Sequence, residues 1–125
     1  MKVLIAEDDP VSSMALEALL VKQGYEVKSC KDGAEAWQDL QKEVYPLVIL
    51  DWMMPKMDGL EVCRKIRANL TSPYRCIIML TAKQSKEDRA QALSAGVDVF
   101  VTKPLNYEDF LSRLQVANHI LLMEK

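Results

Sequence analysis

Residues 47–59 read Leu47-Val48-Ile49-Leu50-Asp51-Trp52-Met53-Met54-Pro55-Lys56-Met57-Asp58-Gly59. An unbroken aliphatic run stops at a carboxylate, and Pro55 and Gly59 then bracket a turn, where Met54 and Met57 read as packing residues. Aliphatic residues without polar alternation suit a strand covered on both faces, as at the centre of a parallel sheet. Comparable runs lie to either side: Lys2 to Ala6 and Tyr25 to Ser29 before it, Cys76 to Leu80 and Val97 to Val101 after it. Tyr25-Glu26-Val27-Lys28-Ser29 alternates, which suits an edge strand with one wetter face.

Between these runs the apolar spacing becomes helical. Val11, Met14, Ala15, Ala18, Leu19 and Lys22 form one stripe, the kind of face a helix turns to a core, and Gly24 follows where a left-handed cap is cheap. Further stripes run over 33–44, 60–69 and 85–95 and from Tyr107 onward; Ser85 with Asp88 gives a capping-box start, and Gly96 a stop. Strands and helices in alternation with short connections predict one α/β domain. Right-handed crossovers then make it an open, doubly wound, five-stranded parallel sheet with five helices on both faces.

Composition agrees with a single globular domain: 125 residues, half of them hydrophobic, 27% charged and a net charge of -2. Lys and Arg are scattered, which argues against direct nucleic-acid binding, and no apolar stretch is long enough for a membrane span. The run after Met1 is too short for a signal-peptide core. Cys30, Cys63 and Cys76 are odd in number and widely spaced, so they read as buried reduced thiols and point to the cytoplasm. His119, the single histidine, reads as a surface or packing residue.

Ligands on doubly wound sheets lie beyond the carboxyl ends of the strands. The unusual polar residues fall there: Glu7-Asp8-Asp9-Pro10 after the first run, Asp51 after the third, Thr81 after the fourth, and Thr102-Lys103-Pro104 at the end of the fifth. Asp9 before Pro10 also reads as a helix N-cap. Asp8, Asp9 and Asp51 brought together would repel unless a cation offset them, and an oxygen-only ligand set favours Mg2+. A carboxylate nucleophile at Asp51, with Mg2+, the Lys103 ammonium and the Thr81 hydroxyl sharing charge, is the equipment of phosphoryl transfer.

These residues, with Asp51-Trp-Met-Met-Pro55-Lys-Met-Asp58-Gly59, Leu80-Thr81-Ala82 and Lys103-Pro104, resemble the receiver domain of two-component response regulators over the whole chain, 1–125. The resemblance implies strand order 2-1-3-4-5, the order given for this fold type in general accounts of doubly wound sheets. It implies that Asp51 is the phosphoacceptor, Asp9 the direct Mg2+ ligand, Asp8 a second acid acting through water, and Met53 a backbone-carbonyl ligand. Thr81 would be the switch hydroxyl, Ala82 a backbone N–H donor to the phosphoryl group, and Lys103 the phosphate-bridging lysine, with a cis bond to Pro104. Phe100 corresponds to the aromatic residue that turns inward on switching, and Met53 and Lys83 to positions beside the path of the hydrolytic water.

The implied partners are a sensor histidine kinase or histidine phosphotransfer protein, a homodimer through the face of the fourth helix, fifth strand and fifth helix, and a fused output domain. Leu111, Leu114, Asn118 and Leu121 have heptad-like spacing, so 115–125 reads as a helical linker toward that output domain. The tail also resembles those leading to cyclic-dinucleotide-synthesising domains. Val99 stands where receivers joined to winged-helix DNA-binding domains commonly carry an Asp, which speaks against that subclass. A haloacid-dehalogenase-type phosphatase would expect a second Asp where Met53 stands, and a pseudo-receiver would usually lack one of the acid, hydroxyl or lysine positions.

Overall fold

A computed structural model describes residues 1–69, 73–82 and 85–124. The strands are β1 (Lys2–Ala6), β2 (Glu26–Cys30), β3 (Leu47–Asp51), β4 (Cys76–Thr81) and β5 (Val99–Thr102). The helices are α1 (Pro10–Lys22), α2 (Gly33–Lys42), α3 (Gly59–Ala68), α4 (Lys86–Ala95) and α5 (Tyr107–Met123). The strands form one parallel sheet in the order β2-β1-β3-β4-β5.

β3 and β4 are buried at every position, as their unalternating sequences require. Successive side chains of a strand point to opposite faces, so each strand feeds two cores. Val48, Leu50, Ile77 and Met79 meet α2, α3 and α4 on one side; Leu47, Ile49, Ile78 and Leu80 meet α1 and α5 on the other. Each fully buried aliphatic side chain contributes about 1.5–3 kcal/mol of transfer free energy. β2 alternates exposed and part-buried residues, as expected of an edge strand.

Each helix opens on a short polar residue. Asp9, Asp32, Asp58, Ser85 and Asn106 accept a hydrogen bond from the backbone N–H three residues on, which satisfies one otherwise unpaired donor in each case. Gly96, at φ +101°, closes α4, and Gly24, at φ +91°, follows α1. At the far end of the sheet Asp98 takes Arg67 Nη2 at 2.7 Å, the Ile77 N–H at 2.8 Å and the Tyr74 hydroxyl. That cluster ties the end of α3 to the starts of β4 and β5.

Two helical faces differ from the sequence reading. The buried side of α1 is Leu16 and Leu20, with Leu19 part-buried, whereas Val11 and Met14 are 75% and 73% exposed and Ala15, Ala18 and Lys22 are exposed beside them. Apolar residues occupy both sides of α1, so spacing alone could not choose the face. In α5 the heptad-like positions are used within the domain. Leu114 is buried, Leu111 and Leu121 pack on the same core, and Asn118 Nδ2 donates to Tyr25 Oη at 2.9 Å. Those side chains do not present a free coiled-coil seam.

Candidate functional site: a carboxylate cluster at the strand ends

The parallel register delivers the site. Ala6 lies opposite Leu50, so the next residue on each strand brings Glu7 beside Asp51. Asp51 lies opposite Leu80, with Thr81 one position further, and Thr81 lies opposite Thr102, with Lys103 next. Lys103 Nζ sits 3.0 Å from Glu7 Oε1 and 3.0 Å from Asp51 Oδ2, and its N–H donates to Thr81 O at 2.9 Å. Its bond to Pro104 is cis. Carboxylate oxygens of Glu7, Asp8 and Asp51 all lie within 4.8 Å of one another.

Asp9 does not join that group. Its carboxylate faces α1, where Oδ2 accepts from Ser12 Oγ at 2.7 Å and from the Ser12 N–H at 3.3 Å. The acid pair read from sequence as Asp8 and Asp9 is therefore displaced by one residue, and the cluster contains Glu7 and Asp8. The reason is the strand register: Pro10 starts the helix, the preceding residue must cap it, and the acids nearest the strand are left for the site. Glu7 was legible in principle, as the first polar residue after the first run, aligned with the first polar residue after the third.

The sequence model of the response regulator receiver domain matches residues 3–115. The chain belongs to the response regulator receiver domain family. Its relatives include a transcriptional regulatory protein, YclJ, of Bacillus subtilis, 39% identical over 117 residues that cover 94% of this chain and 50% of that protein. The chemotaxis response regulator CheY4 of Vibrio cholerae superposes with a TM-score of 0.87 at 32% identity, over 93% of this chain and 97% of that one. A CheY-like receiver domain protein from Methanospirillum hungatei gives 0.90 at 27% identity, over 99% and 98%. The chain spans about half the length of the curated relatives it matches.

Within this receiver domain the electrostatics are those of crowded acids held, among the described residues, by the Lys103 ammonium. Burial pushes the Glu7 carboxyl up to about 7, the nearby Asp51 carboxyl acts in the same direction, and Lys103 only partly offsets the two. For Lys103, burial works downward, but hydrogen bonds and charge from Asp51 and Glu7 prevail and hold the ammonium above its ordinary pKa. Asp9 is drawn below its usual value, chiefly by the Ser12 hydroxyl. Glu7 Oε2 is buried without a hydrogen-bond partner among the described residues.

That orphaned oxygen, the close carboxylates and the oxygen-only donor set together fit a hard divalent cation. The remaining residues singled out by sequence lie around this edge. Thr81 is buried at the end of β4, Ala82 is exposed next to it, and Met53 is 64% exposed in the loop after Asp51. Phe100 is half-buried on β5, its ring 5.9 Å from the Arg89 guanidinium. Lys83 lies outside the described residues.

Two contacts that sequence reasoning passed over hold the Asp51 loop. A methyl group on Gly33 would overlap the carbonyl of Met57, and one on Gly59 would overlap the carbonyl of Asp51. Only a glycine lets either backbone pass so close. The thiols of Cys30, Cys63 and Cys76 are free and buried, and no helix among the described residues is long and apolar enough to cross a membrane.

Proposed function

We propose that this receiver domain accepts a phosphoryl group on Asp51 from a histidine kinase or histidine phosphotransfer protein, and that the acyl phosphate changes the surface of α4, β5 and α5. The observation that carries this reading is Lys103 Nζ, 3.0 Å from both Asp51 Oδ2 and Glu7 Oε1 at the strand ends. An Asp51 oxygen attacks phosphorus in line with the leaving nitrogen of a phosphohistidine; the O–P bond forms as the N–P bond breaks, and the freed imidazole takes its proton from solvent. Lys103 stays close enough to exchange its Asp51 contact for a phosphoryl oxygen. The Thr81 hydroxyl at the end of β4 and the N–H of Ala82 just beyond it are the donors for the others.

Glu7, Asp8, Asp51 and the backbone carbonyl of Met53 are the groups that would hold Mg2+, with Asp8 taking the direct role that the resemblance had given to Asp9. When bound, Mg2+ supplies the positive charge that lets an anionic acceptor meet an anionic phosphoryl group. The exposed apolar face of α1, with Val11 and Met14, borders this edge and suits the donor protein. Leu93 on α4, Leu105 after β5 and Tyr107 at the start of α5 are exposed, and this face is able to change partner affinity when Thr81 and Phe100 shift. The buried free thiols favour a reducing compartment, the cytoplasm.

Incubation with acetyl phosphate and Mg2+, followed by intact-mass measurement, tests the reading. One added phosphoryl group on the wild type, absent in Asp51→Asn and in EDTA, is expected. A gain of mass in Asp51→Asn moves the acceptor elsewhere, and no gain in either protein favours a module that works without phosphorylation.

A further inference from the structure

At the end of the sheet opposite Asp51, α2 and α3 flank a cleft of about 650 Å3. The six residues of β4 separate the two ends by ~17 Å. Three cations line the cleft, Lys42, Lys65 and Arg75, together with the half-buried ring of Trp37. Arg75 is only 5% exposed, yet no described carboxylate pairs with it. Its Nη2 donates to the carbonyls of Leu40 (2.7 Å) and Glu43 (3.1 Å) at the end of α2, and its Nε is buried with no acceptor among the described residues. Glu43 is the one acid of the lining, and its carboxylate is drawn to Lys2 Nζ at 3.2 Å. Lys65 Nζ stands 5.9 Å from the centre of the Trp37 ring.

We propose that this cleft binds a small organic phosphate of the nucleotide class, its phosphate among Lys42, Lys65 and Arg75 and its flat ring against Trp37. Buried guanidinium groups are ordinarily paired with an anion, because the desolvated charge and each unfilled N–H are costly. Burial holds the Arg75 pKa below its ordinary value, and no acid acts the other way. Guanidinium and ammonium groups together are the usual recognition set for phosphate, and the cleft volume is in the range of small-molecule sites. The site lies apart from the carboxylate cluster and serves a ligand other than the transferred phosphoryl group.

Trp37 and Trp52 are the two tryptophans, so Trp52→Phe leaves Trp37 as the reporter. That variant is titrated in EDTA, at constant ionic strength, with adenosine 5′-monophosphate, with adenosine and with inorganic phosphate. Saturable quenching by the nucleotide, competition by phosphate, and at least a tenfold loss of affinity in the exposed pair Lys42→Ala/Lys65→Ala are expected. Three results overturn the proposal: no saturable response, adenosine binding as tightly as the nucleotide, or unchanged affinity in the double variant. Because both replaced lysines are exposed, far-ultraviolet circular dichroism and the urea midpoint of the double variant should match its parent, so an effect on affinity cannot be traced to misfolding.

Discussion

Asparagine in place of Asp8 should stabilise the metal-free protein and abolish the stabilisation that Mg2+ confers. The Asp8 oxygen lies within 4.8 Å of oxygens of Glu7 and Asp51. Two unit charges at that distance repel by about 0.9 kcal/mol in a water-like dielectric and about 3.5 kcal/mol at an effective dielectric of 20. Asp8 is exposed, so the lower figure applies. Burial and the neighbouring Asp51 carboxyl push the Glu7 carboxyl up, so Glu7 carries less than a full charge at neutral pH and adds less to the repulsion than Asp51 does. The expected gain for Asp8→Asn in EDTA is therefore about 1 kcal/mol, only partly reduced by physiological salt because the separation is shorter than the Debye length. Mg2+ at a hundred times its dissociation constant should add about 2.7 kcal/mol to the wild type and almost nothing to the variant. Urea denaturation with EDTA or Mg2+ measures all four values. A variant less stable than the wild type in EDTA, or one that keeps the full Mg2+ increment, would refute the assignment of Asp8 to the cation site.

Asp98→Ala should cost about 3–5 kcal/mol, because Arg67 and the Ile77 N–H lose their shared acceptor in a partly buried site. Asp98→Asn, which keeps an acceptor and loses only the charge, should cost roughly half as much; equal losses in urea melts would show that charge carries the whole effect. Gly33→Ala should destabilise by about 1–3 kcal/mol, since the Met57 carbonyl must move, and should weaken Mg2+ binding if that movement reaches Met53; wild-type stability would mean the two segments separate freely. Burial raises the thiols of Cys63 to about 11 and Cys76 to about 12, so in the folded state they stay protonated through the range in which the unfolded chain ionises, near pH 9. Their contribution to stability is thus full below pH 9 and lost as pH rises through 11 to 12. Iodoacetamide at pH 8 should leave the native thiols unmodified and label them all in denaturant, and rapid native labelling would contradict their burial.

The chain's own order of residues was enough to set the α/β class, the parallel sheet and the edge at which Asp51, Thr81 and Lys103 emerge, whereas the strand order β2-β1-β3-β4-β5 was implied by the resemblance to receiver domains. Unalternating aliphatic runs at 47–50 and 76–80 can be buried on both faces only in the middle of a parallel sheet, and a polar residue directly after such a run must emerge at its carboxyl end. Asp51, Thr81 and Lys103 were legible for that reason. What the sequence left undetermined was which of several chemically similar neighbours is turned which way. Glu7, Asp8 and Asp9 are three consecutive acids; only the pairing of Ala6 with Leu50, together with the start of α1 at Pro10, sends Asp9 to cap the helix and Glu7 to Lys103. The same ambiguity hid the buried side of α1, whose apolar residues encircle the helix, and the inward use of Asn118, whose partner Tyr25 is 93 residues away. Local periodicity records that a side chain is apolar or charged, whereas its direction is set by the strand or helix packed against it, and that partner is supplied by the tertiary structure.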